Sequence, residues 1–180
     1  MLEYQEAVKR DDKRADAFYH MGTVCAQLGR FDEATANFQK ALTLTPGDAN
    51  LFCDMGYCLL LQGRLDEARM NLRQAVVLEP NHERAHNNLG LALAHAGQRA
   101  EALAEFAKAG CDESDARCNL AFVMTLQGQR AAAKHEYRQA LALNPASETA
   151  KKGLHELDAM AGQDKPATQQ PEVLPATYVK

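Results

Sequence analysis

Residues 49–82 read ANLFCDMGYCLLLQGRLDEARMNLRQAVVLEPNH, and this stretch decides the fold. Its apolar side chains fall at helical spacing in two runs, one before Gly63 and one after it. A glycine at that point can end a helix in the left-handed conformation, and Pro80 stops the second run because proline cannot continue a helix ladder. The stretch is therefore predicted to form two antiparallel helices joined by a tight turn.

Two small residues, Gly56 and Ala68, are predicted to lie where these helices cross. A large side chain at Gly56 would force the backbones apart, at a cost of roughly 1–3 kcal/mol. A single hairpin cannot bury its apolar faces alone, so units of this kind occur in stacked arrays.

The same pattern of residues recurs along the chain. Full units are predicted at residues 15–48, 49–82, 83–113 and 114–147. The third is three residues short, because a segment at residues 110–113 replaces the expected apolar tail and proline. The matching positions are Phe18, Met21, Gly22, Gly29, Ala34, Phe38, Ala41 and Pro46; Phe52, Met55, Gly56, Gly63, Ala68, Leu72, Ala75 and Pro80; His86, Leu89, Gly90, Gly97, Ala102, Phe106 and Ala109; and Leu120, Ala121, Gly128, Ala133, Tyr137, Ala140 and Pro145.

This register, held across residues 15–147, resembles the tetratricopeptide repeat (TPR) family. The resemblance implies an all-α fold, a right-handed superhelical solenoid of TPR helical hairpins with four full repeats. A half repeat, the second helix only, is predicted at residues 1–14, and a capping helix at 148–162 with Ser147 as its N-cap. The half repeat is either a native single-helix cap or a sign that the chain is a fragment of a longer array. Residues 163–180 carry three prolines in a polar segment and are predicted to form a flexible tail.

Composition and charge exclude several classes of protein. The net charge is −4 and no basic stripe is present, which argues against nucleic acid as a partner. No apolar run approaches the roughly 18 residues that a membrane span needs. The five cysteines form no CxxC pair, which indicates reduced thiols, and with the lack of a signal peptide this predicts a cytoplasmic protein.

In TPR proteins the first helices of successive repeats line a concave groove, so the resemblance implies which residues face it. The predicted groove consists of Tyr19, Thr23, Asp54, Tyr57, Arg84, Asn87, Asn88, Leu91, His95, Asn119 and Phe122. The tyrosines, Leu91 and Phe122 offer apolar surface, and the amides of Asn88 and Asn119 suit an extended peptide backbone.

The predicted function is therefore a protein interaction scaffold that binds a peptide segment or a helix of a partner protein, with no cofactor and no enzymatic activity. Asp16, Asp54 and Asp115 against Arg84 make the predicted groove mildly acidic, which favours a neutral or basic segment with apolar anchors. A C-terminal carboxylate is disfavoured, since Tyr19, Thr23 and Asp54 stand where a carboxylate clamp needs lysine and asparagine.

Two alternatives remain open. In the first, the chain is a self-associating structural or assembly subunit, for example of a secretion or pilus-assembly complex. It would then form a homo-oligomer through the N-terminal half repeat or the C-terminal tail. In the second, residues 82–86, which match the HExxH signature of zinc hydrolases, bind a metal through His82 and His86 with Glu83 as the base. The repeat register favours a chance match, because His86 occupies the packing position that Phe18 and Phe52 hold.

Overall fold

The computed structural model describes residues 14–161. Within that range the chain is all-α, without strands, as predicted. The helices are α1 Ala15–Gln27, α2 Phe31–Leu44, α3 Ala49–Leu61, α4 Leu65–Leu78, α5 Glu83–His95, α6 Arg99–Lys108, α7 Glu113–Leu126, α8 Arg130–Leu143 and α9 Glu148–Ala161. The predicted half repeat, apart from Arg14, and the predicted tail lie outside the described residues, and the repeat boundaries themselves stay a prediction.

The hairpin turn predicted at Gly63 is confirmed. Gly63 has a φ of +73°, and the next amide, that of Arg64, donates to the carbonyl of Leu59 at 2.9 Å. This left-handed residue ends α3 and lets α4 begin at Leu65.

The close approach of paired helices is also confirmed. A Cβ atom built on Gly56 would lie 2.7 Å from Leu72 Cγ and 3.3 Å from the carbonyl oxygen of Ala68. At Gly22 the corresponding Cβ would lie 2.6 Å from the ring of Phe38. Glycine at this position therefore lets the large residue of the second helix pack directly on the backbone of the first.

The described residues fall into two compact units, divided between Leu89 and Gly90 within α5. In the first unit an apolar core joins α1, α2 and α3, with buried members Phe18, Cys25, Ala34, Phe38, Ala41, Leu42, Leu51 and Cys58. In the second unit the largest fully buried side chains are Phe106, Leu120, Val123 and Leu157.

The irregular third repeat is seen in the second unit as a short helix. Helix α6 has 10 residues, whereas α8 has 14. Gly110 has a φ of +85°, and the amide of Cys111 donates to the carbonyl of Phe106 at 3.1 Å, which closes the helix early. Asp112 then caps α7 by accepting from the amide of Asp115 at 2.8 Å.

Helix α9 packs one face on α8 and leaves the other face in solvent. Ser147 is its N-cap, as predicted, since the Ser147 hydroxyl accepts from the amide of Ala150 at 3.3 Å. Gly153 lies against the ring of Tyr137, and Lys134 of α8 pairs with Asp158 at 2.6 Å. The exposed residues of α9 are mainly polar or small, as a helix at the edge of a stack requires for solubility.

Candidate functional site

Three residues predicted to line the groove meet in the first unit, although they come from three successive hairpins. The Tyr19 hydroxyl of α1 donates to Asp54 Oδ2 of α3 at 3.0 Å. Arg84 Nη2 of α5 lies 2.8 Å from Asp54 Oδ1. The side chains of successive first helices therefore share one surface, which we call the first-helix face and define as Tyr19, Thr23, Asp54, Tyr57 and Arg84.

The charges on this face are paired internally. The side chain of Asp54 is 17% exposed and that of Arg84 is 39% exposed. Burial raises the pKa of the Asp54 carboxyl, against the opposing effects of Arg84 and Tyr19. Arg84 thus offsets the charge of Asp54, and Asp16 likewise accepts from its neighbour Arg14 at 3.1 Å. The mildly acidic character of the whole groove stays a prediction.

The other members of the face are partly exposed. Thr23 donates its hydroxyl to the carbonyl of Tyr19 at 3.1 Å, within its own helix. Burial raises the pKa of the Tyr57 hydroxyl. The two tyrosines thus present aromatic surface beside the Asp54–Arg84 pair, which is the mixture of apolar and polar contacts that protein interfaces favour.

Asn87 and Asn88, also predicted as groove residues, are buried. Asn88 is 2% exposed, and its amide nitrogen lies 3.7 Å from the sulfur of Cys53. In the described part of the chain, Asn88 Oδ1 and Asn87 Nδ2 have no hydrogen-bond partner. The structure thus places one buried acceptor and one buried donor under the surface, and a direct contact with a partner stays a prediction.

The second unit holds the four remaining predicted residues. Leu91 is buried, whereas His95, Asn119 and Phe122 are partly exposed. The carbonyl of His95 accepts from Gln127 at 2.7 Å, and burial lowers the pKa of the His95 ring. The amide of Asn119 lies 3.9 Å from the sulfur of Cys111 in the short turn. A contact of these four residues with one another or with a partner stays a prediction.

The cysteine thiols give the face no reactive group. Cys53 lies against Arg84 but is fully buried, and burial raises the pKa of its thiol to about 11. Burial likewise raises the pKa of the Cys58 thiol to about 12. Both thiols are therefore protonated at neutral pH and behave as small apolar side chains.

The two histidines of the HExxH match have structural roles. His82 precedes α5, and its Nδ1 accepts from the amide of Ala85 at 3.3 Å. His86 Nε2 lies 2.9 Å from the carbonyl oxygen of Pro80 and donates to it, which ties α5 to the preceding turn. Among the described residues, no three His, Cys, Asp or Glu side chains are arranged to hold a metal ion.

His82 is an N-cap that the sequence reading missed. Asp48, Asp112 and Ser147 cap α3, α7 and α9 from the corresponding positions, each accepting a backbone N–H of the helix that follows. The recurrence of a short polar side chain just before α3, α7 and α9 is the signal that could have identified it.

We expect the variant His82→Ala to lose about 1 kcal/mol of unfolding free energy, because the amide of Ala85 loses its acceptor. Urea denaturation followed by circular dichroism measures the loss. The matched control is His82→Asp, since aspartate caps α3 and α7; it should retain most of the stability. A zinc ion bound to the wild type and lost in His86→Ala would contradict the structural role.

Sequence comparisons identify the repeats. Three sequence profiles described as tetratricopeptide repeat or TPR repeat match residues 13–76, 56–97 and 114–147. Together they cover most of residues 13–147, where the hairpins lie. The chain belongs to the tetratricopeptide repeat family.

Solved TPR structures resemble the chain over most of its length, whereas no curated protein matches its sequence. YrrB, described as a TPR protein with an unusual peptide-binding site, is 28% identical with a TM-score of 0.65, over 83% of this chain and 78% of YrrB. TTC0263 of Thermus thermophilus, a thermophilic TPR protein, is 22% identical with a TM-score of 0.59, over 87% of each chain. PilF of Pseudomonas aeruginosa is 22% identical with a TM-score of 0.58, over 86% of this chain and 72% of PilF. The last two share the fold.

The TPR helices of the described residues are short. None of them is long and apolar enough to cross a membrane.

Proposed function

We propose that this TPR protein is an interaction scaffold that binds a peptide segment or helix of a partner protein on the first-helix face. The observation that carries the proposal is the meeting of Tyr19, Asp54 and Arg84, which brings three repeats onto one partly exposed surface. A partner segment lying across that surface would contact side chains of several hairpins at once, as repeat proteins use their extended faces.

The chemistry of the face favours a segment with apolar anchors. Tyr19 and Tyr57 are partly exposed aromatic residues, and tyrosine is over-represented among the residues that dominate binding energy. The likeness to YrrB, whose structure is described by a peptide-binding site, supports the same class of ligand.

The first experiment is selection of binding peptides from a random displayed library against the full chain. Combined replacement of Tyr19 and Tyr57 by alanine should weaken a selected peptide roughly tenfold or more, because two aromatic anchors are lost. Amide chemical shifts of the wild type during titration should map the peptide to α1, α3 and the start of α5.

The matched control is the double replacement of Met70 and Val77 by alanine. These side chains are 70% and 71% exposed on α4, a second helix of a hairpin, so they are more accessible than the tyrosines but lie off the first-helix face. Binding lost in this control and kept in the tyrosine double variant would refute the proposed face. Circular dichroism of both variants checks that helical content is unchanged.

The predicted residues of the second unit need their own test. Replacement of Asn119 and Phe122 by alanine asks whether the selected peptide also contacts that unit. The alternative of a self-associating assembly subunit depends on residues 1–14 and 163–180, and light scattering at two protein concentrations tests it.

A further inference from the structure

The Asp54 carboxylate occupies Arg84 in the way that the carboxylate of a bound ligand would. Arg84 Nη2 reaches Asp54 Oδ1 at 2.8 Å, and the Tyr19 hydroxyl holds the other oxygen, Oδ2, at 3.0 Å. Both oxygens of the carboxylate are thus engaged, one by each flanking repeat. The Arg84 side chain as a whole remains 39% exposed, so a ligand can reach part of it.

A guanidinium binds carboxylates and phosphates through charge-assisted hydrogen bonds, which are among the strongest in proteins. On the first-helix face, Asp54 offsets the ability of Arg84 to bind anions. The Asp54 side chain is only 17% exposed, so solvent screens its charge poorly. An acidic ligand approaching Arg84 would also meet the charge of Asp54 at close range. Like charges brought together at an interface suppress the wrong partner.

We infer that Asp54 is a specificity-determining residue that keeps anionic segments off the first-helix face by occupying Arg84. The inference deepens the proposed binding function and rests on it. The partner segment accepted by the face then carries no net negative charge where it crosses Arg84. Tyr19 is a positioning residue in this arrangement, because it fixes the second oxygen of the carboxylate.

The test uses the variant Asp54→Asn, which keeps the shape and the acceptor oxygen but removes the charge. Two probes are titrated into the full chain: a diglutamate peptide blocked at both ends, and the equally blocked diglutamine peptide. The Nε–H signal of Arg84 in nitrogen-15 spectra reports binding at the guanidinium, and its absence in Arg84→Gln assigns it.

The variant should bind the diglutamate probe roughly tenfold more tightly than the wild type does, with a shift of the Arg84 signal, whereas affinity for diglutamine should stay constant. The gain should disappear in the double variant Asp54→Asn with Arg84→Gln. An unchanged affinity of Asp54→Asn for diglutamate would overturn the inference.

The matched control is Asp16→Asn, which removes the same charge from α1, where Asp16 pairs with Arg14. An equal gain in this control would also overturn the inference, since it would reduce the effect to net charge. Should Asp54→Asn fail to fold, Asp54→Ser removes the same charge with a shorter side chain and should give a gain in the same direction; no gain there would also overturn the inference.

The test is separable from the proposed function. The probes read the state of Arg84 directly and do not require a natural partner. If library selection yields no peptide, the proposed function fails, whereas the charge selectivity of Arg84 is still decided by the two probes.

Discussion

Replacing Phe38 with alanine is expected to lower the free energy of unfolding by about 3–5 kcal/mol, the range for truncating a buried aromatic side chain. Phe38 is 1% exposed and lies in the core of the first unit. Its ring fills the space over Gly22, where even one added carbon would lie 2.6 Å from the ring. Because neighbouring backbones are already held by helical hydrogen bonds, the cavity cannot collapse completely, and the full cost is retained.

The second repeat supplies the control for this prediction. Leu72 takes the corresponding position and packs over Gly56 as Phe38 packs over Gly22. Phe38→Leu should therefore lose clearly less stability than Phe38→Ala. Urea denaturation followed by circular dichroism compares the three proteins, and equal losses in both variants would show that shape at this site matters more than filled volume.

The sequence predicts the framework well because local signals agree with one another. Gly63 and Pro80 mark the ends of helices, and the small residue at Gly56 marks the crossing. Each of these is a backbone requirement that only one or two residue types satisfy, so it can be recognised without knowing the neighbours. The same reasoning assigned Ser147 as an N-cap, and the structure confirms it.

The candidate site could be predicted only in part. The repeat register placed Tyr19, Asp54 and Arg84 on one side of the array, but it could not show that they bond to one another, because their pairing depends on distances between repeats. The burial of Asn88 was missed for a related reason. Its amide lies against Cys53 of the preceding first helix, and the repeat register does not show how deeply a side chain at this position is buried.

The HExxH match shows how a short motif can arise from structural requirements. The place of His82 before α5 calls for a capping acceptor, and its Nδ1 supplies one. His86 lies where other repeats carry a large apolar residue, and its Nε2 donates a hydrogen bond to the carbonyl of Pro80. A helix cap and a buried hydrogen bond, each with its own structural cause, thus place two histidines at the spacing of the zinc signature.

A leucine in place of Gly153 is expected to detach α9 from α8, at a cost of about 3 kcal/mol, the upper end of the range for overpacking. A Cβ at this position would overlap the ring of Tyr137, which is 3% exposed and has no space to retreat. Helix propensity favours leucine over glycine by about 1 kcal/mol. The expected loss of about 3 kcal/mol is what remains after this gain is subtracted from the cost of the clash.

The loss should be confined to one end of the second unit, because each element of a repeat array is stabilised by its neighbours alone. Amide hydrogen exchange should therefore accelerate throughout α9 while the core amides of α1 to α4 keep their protection. The matched control is Ala159→Leu, which places the same side chain on the exposed face of α9. Protection of α9 that survives in Gly153→Leu would mean that Lys134 and Asp158, rather than the Gly153–Tyr137 contact, hold the helix in place.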